Sequence, residues 1–545
     1  MYPNNYNDSY LNNLIDQLKN NSRLEEEVES GILEYKLRLD KCDANSLKKL
    51  ESQMLWRINE GKLLYNIFRA YYVLGIQDDG QLGYMKTEII NNSIKNLKII
   101  CENANLKIDY IFKYKYDDNM ISICVIKKTI SKHLPEINIM LLGNTFTEKT
   151  TFLGNLCYDT IDDSNGKSKL LILKHKHEIN SGKTSSIHYE IIGITNEKKI
   201  INYRNSSLDF NNSWDKIFAK SDYIINIFDT PGDIKYSKTT YNALFNINPD
   251  IVLLFTNEFD INTNMNLLIE KIKILIGLEK KFYLIFTKDD KNINKLQNEL
   301  IKNEIIYDLT NFDETNDLCS NNIYYLILNN QSVESFNNFK KILLNNIIDY
   351  NSFKKINTNK VNLHDNNNNN DVCFNIYDIF DIPILNKNII ISGYLISGIL
   401  EINKDYYLNN TKIKLINIHN KNIDCDKLYS RETGCLEIEF LENKININKF
   451  MTIHNNLNNI IQNNILISIK NFTNSKINED DIYIHSKYFS NIFQIEEKIE
   501  KDSNIILKLK TNHKIMINKI NFNINSKCLI KIGENNIIGE IIKNY

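Results

Sequence analysis

The chain has 545 residues, too many for one hydrophobic core, and a length of this kind predicts roughly three or four domains. With 24% charged residues and a net charge of −1, no global field steers the protein toward nucleic acid or a membrane surface, so any RNA contact must use a local patch. The 9 cysteines include no C-x-x-C pair and read as reduced thiols of a cytoplasmic protein; the polar start MYPNNYNDSYLNN lacks signal-peptide order, and no apolar run nears the ~20 residues of a membrane span.

Residues 1–30 are polar and Asn-rich, which predicts a disordered, frayed or partly helical N-terminus. A small α/β domain is expected over 31–133. It has a strand at 35–39, a helix at 44–64 with Leu47, Leu50, Met54, Leu55 and Ile58 on one stripe, a turn at Asp78-Asp79-Gly80, a helix at 88–103, and strands at 108–112 and 122–128. No catalytic constellation stands out in it, and a packing or partner-binding module is the reading.

The stretch INIMLLGNTFTEKTTFLGNL, 137–156, carries the main motif. Its apolar, β-branched start suits a buried parallel strand. The loop Gly143-Asn144-Thr145-Phe146-Thr147-Glu148-Lys149-Thr150 follows, and a helix begins near Thr151. This is the layout of a phosphate-binding loop, in which backbone N–H groups and a helix N-terminus converge on phosphates. Lys149 then reaches the β- and γ-oxygens, and the Thr150 hydroxyl is placed for Mg²⁺. Glu148 stands where the pattern has a second glycine, which predicts awkward backbone torsions and a carboxylate beside a polyanion. Taken alone, the stretch is equally compatible with a structural strand-turn-helix.

Further along, His175-Lys176-His177-Glu178-Ile179-Asn180-Ser181-Gly182-Lys183-Thr184-Ser185-Ser186 invites two readings. Two histidines and a glutamate suggest a metal, but no further ligand pair stands nearby. The other reading is a polar switch whose Thr184 reaches Mg²⁺ and the γ-phosphate. The strand 223–228 ends in Asp229-Thr230-Pro231-Gly232-Asp233, where Asp229 is placed to hold Mg²⁺ through water and Gly232 to offer a bare N–H to the γ-phosphate. Strand 251–255 is buried, and strand 282–286 ends in Thr287-Lys288-Asp289-Asp290. The carboxylate of Asp290 can accept from guanine N1–H and N2–H₂, a donor pair adenine lacks, while Lys288 lays its methylene stem along the base. Three such elements in order, each at a strand end, predict a guanine-nucleotide domain over 134–350. A fifth element near Leu328-Asn329 lacks the expected small polar residue.

NTNKVNLHDNNNNND marks a linker at 351–372. Short strands at 374–377, 389–395, 412–418, 435–441 and 465–469 predict a β-barrel over 373–470, and a second, shortened barrel over 471–545.

This order resembles the elongation factor 1-alpha class of translational GTPases. In detail, residues 175–186 resemble the switch I signature of the GTP-binding protein 1 and 2 family, as do Glu34-Tyr35-Lys36-Leu37, Asp79-Gly80, Ser213-Trp214, Lys235-Tyr236-Ser237-Lys238-Thr239-Thr240, Ile382-Pro383, and Ile391-Ser392-Gly393 through Gly398-Ile399. The Thr-Lys-x-Asp form at Thr287 is similar to that family's. Glu148 departs from it, and so does Asp233, where the family has a water-orienting histidine. The resemblance implies a divergent member: an α/β P-loop GTPase domain with a mostly parallel sheet, preceded by a small α/β domain and followed by two β-barrels. It further implies GTP or GDP with Mg²⁺ as cofactors. The implied metal ligands are Thr150, Thr184 and, through water, Asp229; nucleotide contacts come from 143–151, Asp229, Gly232, Thr287, Lys288 and Asp290; Lys149, Thr184 and Asp233 occupy the catalytic positions. Implied partners are the ribosome, tRNA or RNA-decay machinery, with no membrane. The rival expectation is a scaffold that binds nucleotide, hydrolyses it slowly or not at all, and docks partners through its barrels.

Overall fold

Alternation along one short strand organises the N-terminal unit. The computed structural model describes residues 9–20, 23–28, 30–65, 69–83, 85–104, 106–116, 118–128, 134–206, 214–288, 292–305, 307–312, 322–348, 372–380, 388–408, 411–421, 423–442, 445–447, 451–455, 460–470, 481–486, 490–501, 504–517, 526–532 and 535–544. The chain divides into two compact units, residues 1–133 with 423–426, and residues 134–422 with 427–545.

In the first unit, β1 (Leu33–Lys36), β2 (Arg69–Leu74), β3 (Leu106–Tyr116) and β4 (Asn119–Lys128) form a sheet in the order β1-β2-β4-β3. Tyr72 and Leu74 of β2 face the helices Ala44–Tyr65 and Thr87–Asn103, packing with Met54, Ile58, Ile90 and Leu97. Tyr71 and Val73, one residue out of phase, face the other way. There they meet a helix, Ser9–Asn20, whose Leu11, Leu14, Ile15 and Leu18 are all buried. Of the expectations for this start, the helical one describes 9–20 and the disordered one does not: the segment is an amphipathic helix that covers the second face of the sheet.

The second unit opens with an eight-stranded sheet. Its strands are β5 (Glu136–Gly143), β6 (His188–Ile194), β7 (Ile200–Ile201), β8 (Tyr223–Asp229), β9 (Ile251–Thr256), β10 (Phe282–Thr287), β11 (Asp308–Asn311) and β12 (Asn322–Leu328), in the order β11-β12-β10-β9-β5-β8-β6-β7. All pairings are parallel except β6 with β7 and with β8. Every residue of β5 is buried, as a central strand covered on both faces requires. One face packs Met140, Leu142 and Leu254 on Leu268, Ile272 and Leu275 of helix Met265–Gly277. On the other, Phe152 of helix Lys149–Tyr158 meets Phe255 and Phe339 at ring distances of 5.3 Å each. The parallel strands β5, β8, β10 and β12 end on the same edge, so the loops after them converge there.

Two barrels complete the unit. The first closes when Asp405–Leu408 pairs with both Thr411–Asn420 and Thr452–His454. The second is a closed six-stranded barrel that begins with Ile460–Lys470. That strand pairs with Asn504–Ile517 and Asn535–Asn544, so the strand expected at 465–469 opens the second barrel rather than ending the first at 470. The linker at 351–371 lies outside the described residues.

The first barrel is fixed to the eight-stranded sheet by buried charge. Lys421, fully buried, pairs with Glu136 at the start of β5 at 2.6 Å. Burial alone would lower the Lys421 ammonium, but the Glu136 carboxylate more than reverses this and holds it above its usual range. Glu136 also accepts from Asn226 of β8 at 2.7 Å, and Arg431 pairs with Asp250. On the second barrel, buried His485 meets Asn242 of helix Ser237–Ile247, and Lys238 sits 4.2 Å from the Tyr483 ring centre.

Candidate functional site

At the end of β5 the chain must turn under the carbonyl of a neighbouring strand. Gly143 has φ 149°, and a Cβ there would lie 2.5 Å from the Phe255 oxygen. The loop then passes through two left-handed residues, Phe146 at φ 68° and Glu148 at φ 63°, before helix Lys149–Tyr158 begins. Gly232, after β8, closes on the loop from the other side: a Cβ on it would lie 2.5 Å from Asn144 C and Thr145 N.

Lys149 is buried, and its Nζ donates to Gly143 O at 3.0 Å and Asn144 O at 2.9 Å. Burial pushes its amine down to about 8, with Asp229 pulling the other way. A polyanion in the loop would favour the charged form. The Thr150 hydroxyl donates to Asp229 Oδ2 at 2.6 Å and lies 2.9 Å from the Thr184 hydroxyl. Burial raises the Asp229 carboxyl to about 6 against the opposing charge of Lys149. Its second oxygen, Oδ1, is buried with no hydrogen-bond partner among the described residues. Three hard oxygen donors around one orphaned carboxylate oxygen suit a magnesium ion and its waters.

Beneath the loop, Asn144 donates to Asp260 Oδ1 at 2.6 Å and accepts from Lys271. Thr147 donates to Asn144 O at 2.9 Å. These bonds fix the loop from behind. Above it lies a cavity of about 310 Å³, lined by residues 145–151 together with Lys169, Lys183, Thr184, Gly232, Lys288 and Gln331.

The 175–186 segment folds around one carboxylate. Glu178 is fully buried, and its Oε1 accepts from Ser185 N and Oγ, both at 2.8 Å, and from Ser186 N at 3.1 Å. Burial would raise this carboxyl, but the bonds from Ser185 and Ser186, with His188 beside it, outweigh that and hold it down at about 2. His188 of β6 sits 3.2 Å from Glu178 Oε2. His175 and His177 stack on each other, and His177 Nε2 meets Ser185 Oγ at 2.7 Å. Glu178 and His177 thus pin the backbone just after Thr184.

Two expected residues stand apart, and a third is not described. Thr287 is buried and turns its hydroxyl to Thr256 O at 3.3 Å, into the sheet. Asp233 Oδ1 accepts from Lys235 N at 3.1 Å and caps the short helix Ile234–Tyr236. Asp290 lies outside the described residues.

Glu148 takes the left-handed torsion expected of it and also has partners far along the chain. Its carboxylate is held by Lys288 Nζ at 3.5 Å and by Asn330 Nδ2 at 3.1 Å, on the side of the loops after β10 and β12. Asn330, which the sequence reading missed, is a polar residue of the loop after β12. It is buried, and Asn155 of the helix donates to its carbonyl at 2.9 Å. Lys169 and Lys183 were missed too, although Lys183 directly precedes Thr184. The Lys183 ammonium lies 5.4 Å from the Phe146 ring centre.

Residues 135–403 match the elongation factor Tu GTP binding domain family. Over 271 residues the chain is 30% identical to human GTP-binding protein 2, covering 48% of this chain and 43% of that protein. It is 25% identical to GTP-binding protein 1 of Xenopus laevis over 263 residues, 48% of this chain and 38% of that one. These matches span less than half the length of either relative. Among solved structures, the GTPase-like domain of S. cerevisiae Ski7, bound to GTP, aligns over 75% of this chain and 97% of its own with a TM-score of 0.52 and 14% identity, a likeness of fold. Among the described residues, no helix is long and apolar enough to cross a membrane.

Proposed function

We propose that this chain, a divergent relative of GTP-binding proteins 1 and 2 built on an elongation factor Tu-type GTP-binding domain, is a guanine-nucleotide-dependent switch in translation, ribosome rescue or mRNA turnover. The observation that carries the reading is the convergence of Lys149, Thr150, Thr184 and Asp229 from the phosphate loop, the 175–186 segment and the end of β8. Lys149 holds the β- and γ-oxygens. Thr150 and Thr184, with Asp229 through water, would hold magnesium, which when bound supplies positive charge to the phosphates. Gly232 offers its N–H to the γ-phosphate. Asp290 reads guanine, and Lys288 lies along the base. Partners of the ribosome, tRNA or RNA-decay class fit a protein of this family, acting in the cytoplasm.

A second reading has one observation in its favour. Asp233 stands where the family places a water-orienting histidine, and its carboxylate is engaged in capping a helix turn. The protein then binds GTP, hydrolyses it slowly, and docks partners through its barrels.

Titration of the purified chain with fluorescent GTP, GDP and ATP in magnesium tests the first reading. Selective guanine binding is the expected result, and equal affinity for ATP overturns it. Asp290→Asn should weaken GTP binding by roughly 10- to 100-fold, the worth of one charge-assisted hydrogen bond, and should admit xanthosine triphosphate. An unchanged dissociation constant in that variant would assign base reading to other residues.

A further inference from the structure

Glu148 occupies a left-handed backbone position that usually demands glycine, so something must hold it there. The structure offers two restraints. Asn330, only 1% exposed and itself anchored by Asn155, donates to Oε2 at 3.1 Å. Lys288, at the head of the loop after β10, approaches Oε1 at 3.5 Å. The carboxylate therefore bridges the phosphate loop to the loops after two adjacent strands, β10 and β12.

We infer that Glu148 is a positioning residue: it ties the phosphate loop to the two base-side loops, so that the grip on phosphate and the placement of Lys288 and Asn330 form together. The inference rests on the guanine-nucleotide reading above and gives it a device for linking the two halves of the ligand. The two ties differ in weight. Lys288 is 62% exposed, and an ion pair in that setting contributes little. The bond from buried Asn330 to a carboxylate is charge-assisted and shielded, so it contributes more. A glutamine keeps an acceptor for Asn330, whereas a glycine removes both ties and relaxes the backbone.

The rival is simple repulsion. A carboxylate opposing the phosphates would weaken GTP more than GDP, and E148G would relieve it. The two accounts predict opposite signs.

The test measures dissociation constants for fluorescent GDP and GTP in the native chain, E148Q, E148G, N330A and the double variant E148G/N330A, with thermal midpoints of the nucleotide-free proteins. E148G should weaken GDP and GTP alike by about tenfold while its midpoint shifts little, because glycine's fit to the left-handed position offsets the lost ties. E148Q should stay within about threefold of native, and the double variant should bind no more weakly than E148G. Tighter or unchanged GTP binding in E148G, or additive losses in the double variant, overturns the role of Glu148 and leaves the nucleotide reading standing. A native chain that binds no guanine nucleotide overturns both.

Discussion

Asp233→His is expected to speed single-turnover hydrolysis of bound GTP by roughly 10²-fold, the usual worth of one positioned proton-handling group. In-line attack needs a group that orients water, and positive charge where the phosphoryl oxygens gather it. Asp233 can accept from water, but its charge opposes that of the phosphate, and its Oδ1 already accepts from Lys235 N. A histidine at the same place can hydrogen-bond the water and, when protonated, offset the charge. The substitution also removes a cap from the turn Ile234–Tyr236, a loss of about 1 kcal/mol locally, small beside the gain in the barrier. Asp233→Ala separates the two contributions. If alanine matches histidine, loss of negative charge explains the whole effect; if it lags, orientation matters. A native rate equal to that of the histidine variant, with no partner present, would place this chain among ordinary GTPases.

The second large effect concerns stability. Lys421→Met should destabilise the second unit by about 3–5 kcal/mol, because it leaves the Glu136 carboxylate buried without its cation. Methionine has a similar reach, so packing changes little and the stranded charge dominates. The double variant Lys421→Met with Glu136→Gln should recover most of the loss, since a glutamine can still accept from Asn226. Denaturant midpoints measure both. If the single variant is as stable as native, the charge has found water, and the joint between barrel and sheet is looser than described.

What could be read ahead of the structure followed the range of the forces involved. The run at 137–142 declares a buried strand by itself, and the order of loops after it follows from the parallel sheet. The helix Ser9–Asn20 was also legible: Leu11, Leu14, Ile15 and Leu18 repeat at helical spacing, but the surrounding asparagines obscured them. The strand at 465–469 was recognisable as a strand, yet periodicity says nothing about which sheet receives it. Glu148 marks the limit. Its missing glycine foretold a strained backbone, and φ 63° agrees. The direction of its side chain depended on Asn330, 182 positions away, which no local pattern encodes. Glu178 shows the converse, for its partners Ser185 and Ser186 lay in the same stretch.

The Glu178 clasp also bears on the heat and entropy of binding. A segment already held by one buried carboxylate and two serines has little disorder left to lose when a ligand arrives. Its ordering then belongs to folding rather than to nucleotide capture. Association should show a small heat-capacity change and a modest entropic penalty, unlike a loop that condenses on its ligand. On the proposed reading, the difference between GTP-bound and GDP-bound chain is expected to arise from direct contact at Thr184 and Gly232, a short lever in a stiff frame, rather than from a loop that melts and refreezes.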